Sequence, residues 1–366
     1  MYEFTSESVS EGHPDKIADA ISDAVAHMII AGNQTHRAAI ETLVTTDTVI
    51  VAGEYKSTKK LSAKAVEKVI RDTIKAIGYE QDGFHWETVK ITNKLHGQSA
   101  DIAMGTDDFG AGDQGLMFGY ACTETPEYMP LAISLSHKIL RKLEWCRKNP
   151  LESSIDWLGP DAKAQVTVVY EAPNMPIRVD KVVCSTQHSD DVSTQCVRDC
   201  IEQIIIDELA PYVDENTEYL INPTGRFVIG GPDGDTGVTG RKIIVDTYGG
   251  YCAHGGGAFS GKDCTKVDRS AAYMCRYIAK NIVASQIASN CTVQLSYAIG
   301  VEQPTSVYIY ADGKVRDDLA RQISTKLDLT PKGIIDKFDL FNLDLRLTTN
   351  YGHFGKEHLP WEQLDL

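Results

Sequence analysis

A glycine-rich segment followed by lysines, residues 254–263, is the part of the sequence whose residue types most clearly indicate chemistry. It reads His-Gly-Gly-Gly-Ala-Phe-Ser-Gly-Lys-Asp. Glycines let backbone N–H groups approach an anion and Lys262 adds positive charge, so the segment is typical of a phosphate-binding loop, although a plain turn is the alternative. The spacing fits G-x-x-x-x-G-K, but Asp263 stands where such loops carry the Ser or Thr that binds magnesium. Lys266 and Asp268 follow, and Asp268 is the better candidate for a metal ligand.

A second chemical segment precedes the first predicted helix. Pro14 is typical of the first position of a helix, which makes His13 the N-cap and places Asp15 in the first turn. The positive end of the helix dipole favours an anion beside His13, and Asp15 can hold a magnesium ion next to it. The alternative is that His13 only caps the helix and Asp15 only complements its dipole. Asp19 and Asp23 continue the four-residue spacing and are predicted to lie on a solvated face.

Two other glycine-rich stretches carry charged or aromatic side chains. Residues 97–115 contain four aspartates and predict a mobile lid followed by a tight acidic turn. Residues 222–242 combine the ring of Phe227 with a carboxylate at Asp235 and adjacent cations at Arg241 and Lys242. An adenosine triphosphate needs such groups for base stacking, for contact with the ribose or amine, and for phosphate neutralisation. Each group also has an ordinary explanation as part of a surface loop, and their occurrence with the glycine segment favours ATP.

Composition limits the classes of partner. A chain of 366 residues that is 42% hydrophobic can bury a large core and divide into two or three domains. Its net charge of -15 argues against nonspecific binding of nucleic acid and against a polybasic membrane surface. Nine cysteines without a C-x-x-C pair do not form a zinc framework, and no stretch reaches about 18 apolar residues. We expect a protein of the reducing cytoplasm.

Hydrophobic periodicity predicts the order helix, two strands, helix three times. Helices are predicted at 14–31, 62–78, 131–148, 191–209, 268–288 and 315–327. Strands are predicted at 38–45, 48–54, 89–92, 165–170, 179–185, 242–245, 292–299 and 306–311. The three blocks predict an α+β fold of three similar two-layer α/β sandwich domains related by a pseudo-threefold repeat. The predicted units are an N-terminal domain at 1–98, a mobile active-site loop at 99–111, a central domain at 112–228 and a C-terminal domain at 229–366.

Long motifs at 4–16, 110–115, 222–231, 255–262 and 351–355 together resemble the S-adenosylmethionine synthetases, also called methionine adenosyltransferases, over essentially the whole chain. The resemblance implies that the sulfur of L-methionine attacks the ribose 5′ carbon of ATP and that the bound triphosphate is then hydrolysed to pyrophosphate and phosphate. It also implies two Mg²⁺ ions and one K⁺ ion per site. A homodimer with shared active sites, commonly assembled into a homotetramer, is the implied assembly.

The resemblance also assigns roles to single residues. Catalytic roles are implied for His13, Asp113, Lys163, Arg241 and Lys262. ATP binding is implied for His13, Asp161, Lys163, Arg226, Phe227, Asp235, Arg241, Lys242, Ala258 and Lys262. Methionine binding is implied for Glu54, Gln98, Asp235 and Lys266. Metal binding is implied for Asp15 and Asp268 with Mg²⁺ and for Glu41 with K⁺.

Two other functions remain open on the sequence. A phosphotransferase with the same glycine segment would transfer the γ-phosphate and release ADP, whereas the family reaction releases no ADP. A catalytically silent nucleotide-binding partner is the second alternative. The chain also departs from many relatives in its shorter loop at 99–109 and in Cys264, which stands where proline is common and is predicted to be an inert thiol.

Overall fold

The computed structural model describes residues 1–58, 60–97 and 110–366. Its helices are α1 (Pro14–Ile30), α2 (Ala63–Ile77), α3 (Leu131–Lys148), α4 (Pro150–Ser153), α5 (Thr194–Leu209), α6 (Val267–Ala284), α7 (Asp317–Lys326) and α8 (Pro331–Phe338). Its strands are β1 (Tyr2–Val9), β2 (Arg37–Thr45), β3 (Thr48–Lys56), β4 (Glu80–Gln81), β5 (Phe84–His85), β6 (Lys90–Gly97), β7 (Gly115–Cys122), β8 (Leu158–Ala172), β9 (Met175–His188), β10 (Glu218–Ile221), β11 (Gly237–Val238), β12 (Asn290–Tyr297), β13 (Ser306–Ala311) and β14 (Lys314–Val315).

Three four-stranded sheets organise these elements. The N-terminal sheet has the order β11-β2-β3-β6, the central sheet β1-β8-β9-β10, and the C-terminal sheet β14-β13-β12-β7. Two pairs are parallel, β3 with β6 and β9 with β10, and the other pairs within these sheets are antiparallel. Each sheet therefore takes an edge strand from another part of the chain, namely β11, β1 and β7. The predicted domain boundaries remain predictions, because the sheets join segments on either side of them.

Helices cover one face of each sheet and bury its apolar side chains. Helix α1 lies on the N-terminal sheet with α2 packed against it, α3 lies on the central sheet, and α6 lies on the C-terminal sheet. Strand β2 shows why, since Ile40 and Val44 are buried toward α1 while Glu41 between them is exposed on the other face. Three hydrophobic clusters result, one for each sheet. This arrangement confirms the predicted α+β class and the two-layer construction of each unit.

The predicted strand at 242–245 is wrong. The segment forms consecutive turns, in which the N–H of Asp246 donates to the carbonyl of Lys242 at 2.9 Å and the N–H of Gly249 donates to the carbonyl of Ile244 at 3.0 Å. A run of apolar residues in the sequence looks the same in a strand and in a buried turn. Among the described residues, no helix is both long and apolar enough to span a bilayer.

Candidate active site

Helix α1 begins at Pro14, and His13 is its N-cap, as predicted. The Nδ1 atom of His13 accepts the backbone N–H of Asp15 at 3.2 Å, so the proton of the neutral ring lies on Nε2. Burial, and then the nearby Lys242 cation, lower the pKa of His13 to about 3. The ring is therefore neutral at physiological pH, and its Nε2–H is a hydrogen-bond donor.

The turn before His13 is fixed against the start of strand β8. A Cβ atom on Gly12 would lie 2.3 Å from the carbonyl oxygen of Pro160, so only glycine allows this approach. The N–H of Ser10 donates to the carbonyl of Ala162 at 2.8 Å, and the N–H of Ala162 donates to the Ser10 hydroxyl at 2.8 Å. These contacts bring His13 next to the beginning of β8.

Glu11, in the same turn, is a buried carboxylate between two cations. Its Oε1 lies 2.5 Å from Nη2 of Arg147 and 2.6 Å from Nζ of Lys148. Burial, and then the neighbouring Glu144 carboxylate, raise the pKa of Glu11 to about 7, although both cations act in the opposite direction. The position of this turn therefore depends on a carboxyl group that titrates near neutrality.

Strand β8 contributes two of the predicted ATP residues. The Nζ of Lys163 lies 2.9 Å from Oε2 of Glu7 and is about half exposed. Its charge is one of those that lower the pKa of His13, which places the two side chains close together. Asp161 is buried, accepts the N–H of Gly231 at 2.8 Å, and has a pKa raised to about 6 by burial.

Asp15 is held by three groups of the segment around β11. Its Oδ1 accepts the N–H of Val238 at 2.9 Å and lies 4.0 Å from Nη1 of Arg241, while its Oδ2 forms an ion pair with Lys242. Burial alone would raise the pKa of Asp15, but the hydrogen bonds from Lys242 and Val238 outweigh it and lower the pKa. The Arg241 side chain is 61% exposed and is free to meet a ligand. We call His13, Asp15, Asp161, Lys163, Arg241 and Lys242 the His13 cluster.

A second group of predicted residues surrounds Lys262. The Nζ of Lys262 lies 2.5 Å from Oδ2 of Asp268, in the first turn of α6. The glycine segment makes room for that carboxylate, since a Cβ atom on Gly257 would lie 2.3 Å from Cγ of Asp268. Lys266 instead pairs with Asp263 at 2.5 Å. We call Glu41, Glu54, Lys262, Lys266 and Asp268 the Lys262 cluster.

Glu41 and Glu54 belong to this cluster because they share the face of the N-terminal sheet that α1 leaves uncovered. Glu54 lies opposite Ala39 in the ladder, and Ala39 in turn forms a bridge with Lys262. Burial raises the pKa of Glu41, the Lys262 cation opposes this rise, and Glu54 adds to it. His96 lies 3.4 Å from the Glu54 carboxylate.

The segments that precede Arg241 and contain Lys262 both pair with β2, β11 at Leu43 and Val44 and the Lys262 segment at Ala39. They also approach each other through the backbone, since a Cβ atom on Gly240 would lie 2.6 Å from the Cβ of Ala258 in the glycine segment. No hydrogen bond or ion pair joins the two clusters within the described ranges. Each chain thus presents two sets of site residues that no such bond connects in this part of the chain.

The predicted adenosine residues lie on the loop after β10. Arg226 is exposed, and its Nε donates to Asp190 at 2.9 Å. Phe227 is half-buried, and its N–H donates to Nε2 of His188 at 3.1 Å. The loop therefore presents an aromatic ring and a guanidinium side by side.

Five further predictions concern Asp113, Asp235, Gln98, the loop at 99–109 and Cys264. Asp235 and Asp113 are exposed, and each accepts the N–H of the residue that follows it. Gln98 and the loop at 99–109 lie outside the described residues. Cys264 is buried, and burial raises the pKa of its thiol, which favours the predicted inert role.

The prediction that Asp19 and Asp23 lie on a solvated face is wrong. Both side chains are fully buried. Asp19 accepts the N–H of Gly240 at 2.8 Å, and Asp23 accepts the N–H of Gly261 at 2.8 Å. The local sequence carries no signal of this burial, because Asp15, Asp19, Asp23 and His27 form a polar stripe along one side of the helix, which is the pattern of a solvated face.

Each cluster contains one carboxylate that fits a magnesium ion, Asp15 in one and Asp268 in the other. Magnesium commonly takes one or two protein carboxylates and completes its octahedral shell with phosphate oxygens and water. Among the residues that the structure describes, no group of three or more His, Cys, Asp or Glu side chains is arranged to hold a metal. The donor set fits a metal that arrives with a polyphosphate better than a metal in an all-protein cage.

Comparison with known proteins agrees with this geometry. Models of the N-terminal, central and C-terminal domains of S-adenosylmethionine synthetase match residues 1–100, 108–227 and 229–363. The S-adenosylmethionine synthase of Rhodospirillum centenum is 52% identical and that of Zymomonas mobilis 50% identical, each over 100% of this chain and 97% of the relative. An unusual S-adenosylmethionine synthetase of Campylobacter jejuni has a solved structure with a TM-score of 0.92 and 39% identity, covering 100% of this chain and 97% of that one. The chain belongs to the S-adenosylmethionine synthetase family, the methionine adenosyltransferases.

Proposed function

We propose that this enzyme joins L-methionine to ATP by attack of the methionine sulfur on the ribose 5′ carbon, and that it then hydrolyses the bound triphosphate to pyrophosphate and phosphate. The observation that carries the proposal is the His13 cluster, in which a neutral hydrogen-bond donor lies among three cations. A thioether is already a nucleophile and needs no general base. The barrier lies in the leaving group, whose growing negative charge must be stabilised.

His13 is suited to the departing 5′ oxygen. Its Nδ1 accepts a backbone N–H at the helix N-terminus, so Nε2–H is the available donor. Its low pKa keeps the ring neutral, so the ring does not hold the phosphate chain as a cation would. A preorganised donor aimed at a developing oxyanion is the usual electrostatic device for such a step. His13 would therefore act on the bond that breaks and contribute little to hydrolysis of the phosphate chain.

The remaining cations would hold the triphosphate. Lys163, Arg241 and Lys242 come from the His13 cluster and Lys262 from the other cluster, while Asp161 and Ala258 would contact the nucleotide. Two Mg²⁺ ions at Asp15 and Asp268 would neutralise phosphate charge when bound. Arg241 offers a planar fork that can clamp two phosphate oxygens and orient the outer phosphorus toward water. The carboxylate of Glu41 would hold K⁺ at the edge of the second cluster.

The proposed methionine site combines charges for both ends of the amino acid. Glu54 and Asp235 would bind the ammonium group, Lys266 the carboxylate, and Gln98 would add an amide. Arg226 and Phe227 would contact the adenosine. Asp113, an exposed carboxylate, would favour the positive sulfonium that forms on sulfur.

We further propose a homodimer, commonly paired into a homotetramer, that works in the cytoplasm with active sites shared between subunits. The family resemblance supports this assembly, as does the lack of any hydrogen bond or ion pair between the two clusters among the described residues of one chain. A His13 cluster from one subunit facing a Lys262 cluster from its partner would complete each site.

Mass analysis of the products formed from methionine, ATP and Mg²⁺ tests the proposal. S-adenosylmethionine, pyrophosphate and phosphate are expected in equal amounts, with more product when K⁺ is present. ADP as the main product would replace the proposal with a phosphotransferase. Binding of ATP without any product would favour a silent nucleotide-binding partner.

A further inference from the structure

Helix α1 carries a regular series of buried carboxylates that accept hydrogen bonds from other segments of the chain. The aspartates at positions 15, 19 and 23 are four residues apart and so lie along one side of the helix. Each accepts a backbone N–H from a segment that carries site cations: Asp15 from Val238 at 2.9 Å, Asp19 from Gly240 at 2.8 Å, and Asp23 from Gly261 at 2.8 Å. The donating N–H groups of Gly240 and Gly261 thus lie one residue from Arg241 and from Lys262, and that of Val238 lies three residues from Arg241.

The segment at 238–240 has no free backbone donor. The N–H groups of Val238 and Gly240 go to α1, and the N–H of Thr239 donates to the carbonyl of Thr42 on β2 at 3.0 Å. The Thr239 hydroxyl also lies 2.8 Å from the hydroxyl of Ser22, again on α1. Arg241 follows directly, so the direction in which its side chain leaves the backbone is set by these bonds.

Two of these carboxylates, Asp19 and Asp23, also take part in buried ion pairs. Asp19 lies 3.0 Å from Nζ of Lys16, which is itself 2.6 Å from Asp246, and all three side chains are fully buried. Asp23 pairs with the guanidinium of Arg269 at 2.7 Å. Burying an ion pair is often no more stabilising than burying apolar side chains of the same size. What the carboxylates add is a fixed acceptor for one particular N–H group.

We propose that Asp19 is a positioning residue that sets the place of Arg241 through the N–H of Gly240, and that Asp23 does the same for Lys262 through the N–H of Gly261. The inference rests on the proposed role of these two cations in phosphate binding. It predicts that the loss of Asp19 is felt through Arg241 and through no other part of the site.

A double-mutant cycle on hydrolysis of added tripolyphosphate tests the Asp19 link. Asp19→Leu removes the acceptor and is expected to lower the turnover number about 10- to 100-fold, since a displacement of about 1 Å can cost about 100-fold. Asp19→Asn keeps an oxygen acceptor and should recover most of that loss. In an Arg241→Leu background, Asp19→Leu should lower the turnover number by no more than about a further twofold, which is the usual error of additivity. Full additivity of the two losses would overturn the proposal.

Asp246→Leu is the matched control, because it removes a carboxylate from the same buried lysine but accepts none of the N–H groups at 238–240. Asp246→Leu should lower the turnover number by the same factor in the wild-type and Arg241→Leu backgrounds. If its effect disappears in the Arg241→Leu background, as is expected for Asp19→Leu, the proposal is contradicted.

Hydrogen exchange of the wild-type protein needs no variant and keeps the proposal testable if Asp19→Leu does not fold. Peptides covering 237–242 should exchange as slowly as those of α1, and exchange as fast as in an exposed loop would overturn the idea. A wild-type protein that forms no S-adenosylmethionine would refute the proposed function alone, since the exchange result is independent of activity.

Discussion

Gly257 offers a direct test of the proposal that Asp268 is a magnesium ligand. Replacing it with alanine would place a methyl group 2.3 Å from Cγ, 2.4 Å from Oδ1 and 2.8 Å from Cβ of Asp268. Ordinary van der Waals contact begins near 3.4 Å, so the carboxylate must move by about 1 Å. Because Cβ of Asp268 is also too close, rotation of the carboxylate does not remove the clash, and either the loop or the start of α6 must shift.

A displacement of about 1 Å at a reacting group can cost about 100-fold in rate, or about 2.7 kcal/mol. We therefore expect Gly257→Ala to lower the turnover number for synthesis by about that factor and to raise the Mg²⁺ concentration that gives half-maximal rate. The melting temperature should change little, because the altered contact lies in a partly exposed loop.

Gly256→Ala is the matched control from the same loop. Its new Cβ would have no atom within 4 Å, but its φ of +93° is strained for alanine, so it should lower stability by about 1–2 kcal/mol without displacing Asp268. Its half-maximal Mg²⁺ concentration should stay at the wild-type value. If Gly257→Ala has the wild-type rate and Mg²⁺ dependence, the crowding of Asp268 has no functional consequence and its assignment as a magnesium ligand loses its support.

Three further predictions concern other parts of the enzyme. His13→Asn should slow synthesis about 100-fold and leave hydrolysis of added tripolyphosphate largely intact. Arg241→Leu should slow hydrolysis at least as much as synthesis. If each variant loses the same factor in both half-reactions, both residues serve general triphosphate binding. Mixing inactive Lys163→Met chains with inactive Asp268→Asn chains should restore activity, because one site of each mixed dimer carries neither substitution, and mixed dimers without activity would contradict shared sites. Glu11→Gln should flatten the dependence of the melting temperature on pH. The folded-state pKa of Glu11, about 7, lies above its ordinary value of 4.5, so the folded chain binds more protons between these values and its stability falls as the pH rises through them; an unchanged slope in thermal melts would refute this.

Elements with local signals could be predicted closely from the sequence. Helix α3 spans the predicted 131–148, and α2 lies between its predicted N-cap Ser62 and the left-handed Gly78. Strands β1, β7, β10 and β11 are not predicted. Strand β1 is rich in Ser, Thr and Glu, and its partner β8 lies about 160 residues farther along the chain, so no local pattern marks it as a strand.

The features of the site also differ in whether the local sequence predicts them. The N-cap role of His13 follows from the proline after it, and the structure confirms that role. The pairing of Lys242 with Asp15 spans 227 residues, and the bond between Asp19 and Gly240 spans 221. Neither contact can be predicted from the local sequence, because the sequence pattern around a buried aspartate is the same as that around a solvated one. The roles of Gln98 and Asp113 and the sharing of sites between subunits depend on the family resemblance and remain proposals.

Charge pairing in the two clusters bears on how a protein of net charge -15 would bind the proposed triphosphate. Three lysines proposed to hold phosphate each have a carboxylate partner already: Lys163 has Glu7, Lys242 has Asp15 and Lys262 has Asp268. Phosphate alone would have to displace a carboxylate and leave it buried or crowded without a cation, which is costly. In the proposed complex Asp15 and Asp268 would hold magnesium while Lys242 and Lys262 hold phosphate, so neither carboxylate would be left without a cation. Glu7 is 39% exposed and would be solvated when Lys163 binds phosphate. The requirement for magnesium is therefore expected to come from the carboxylates of the protein as much as from the charge of the triphosphate.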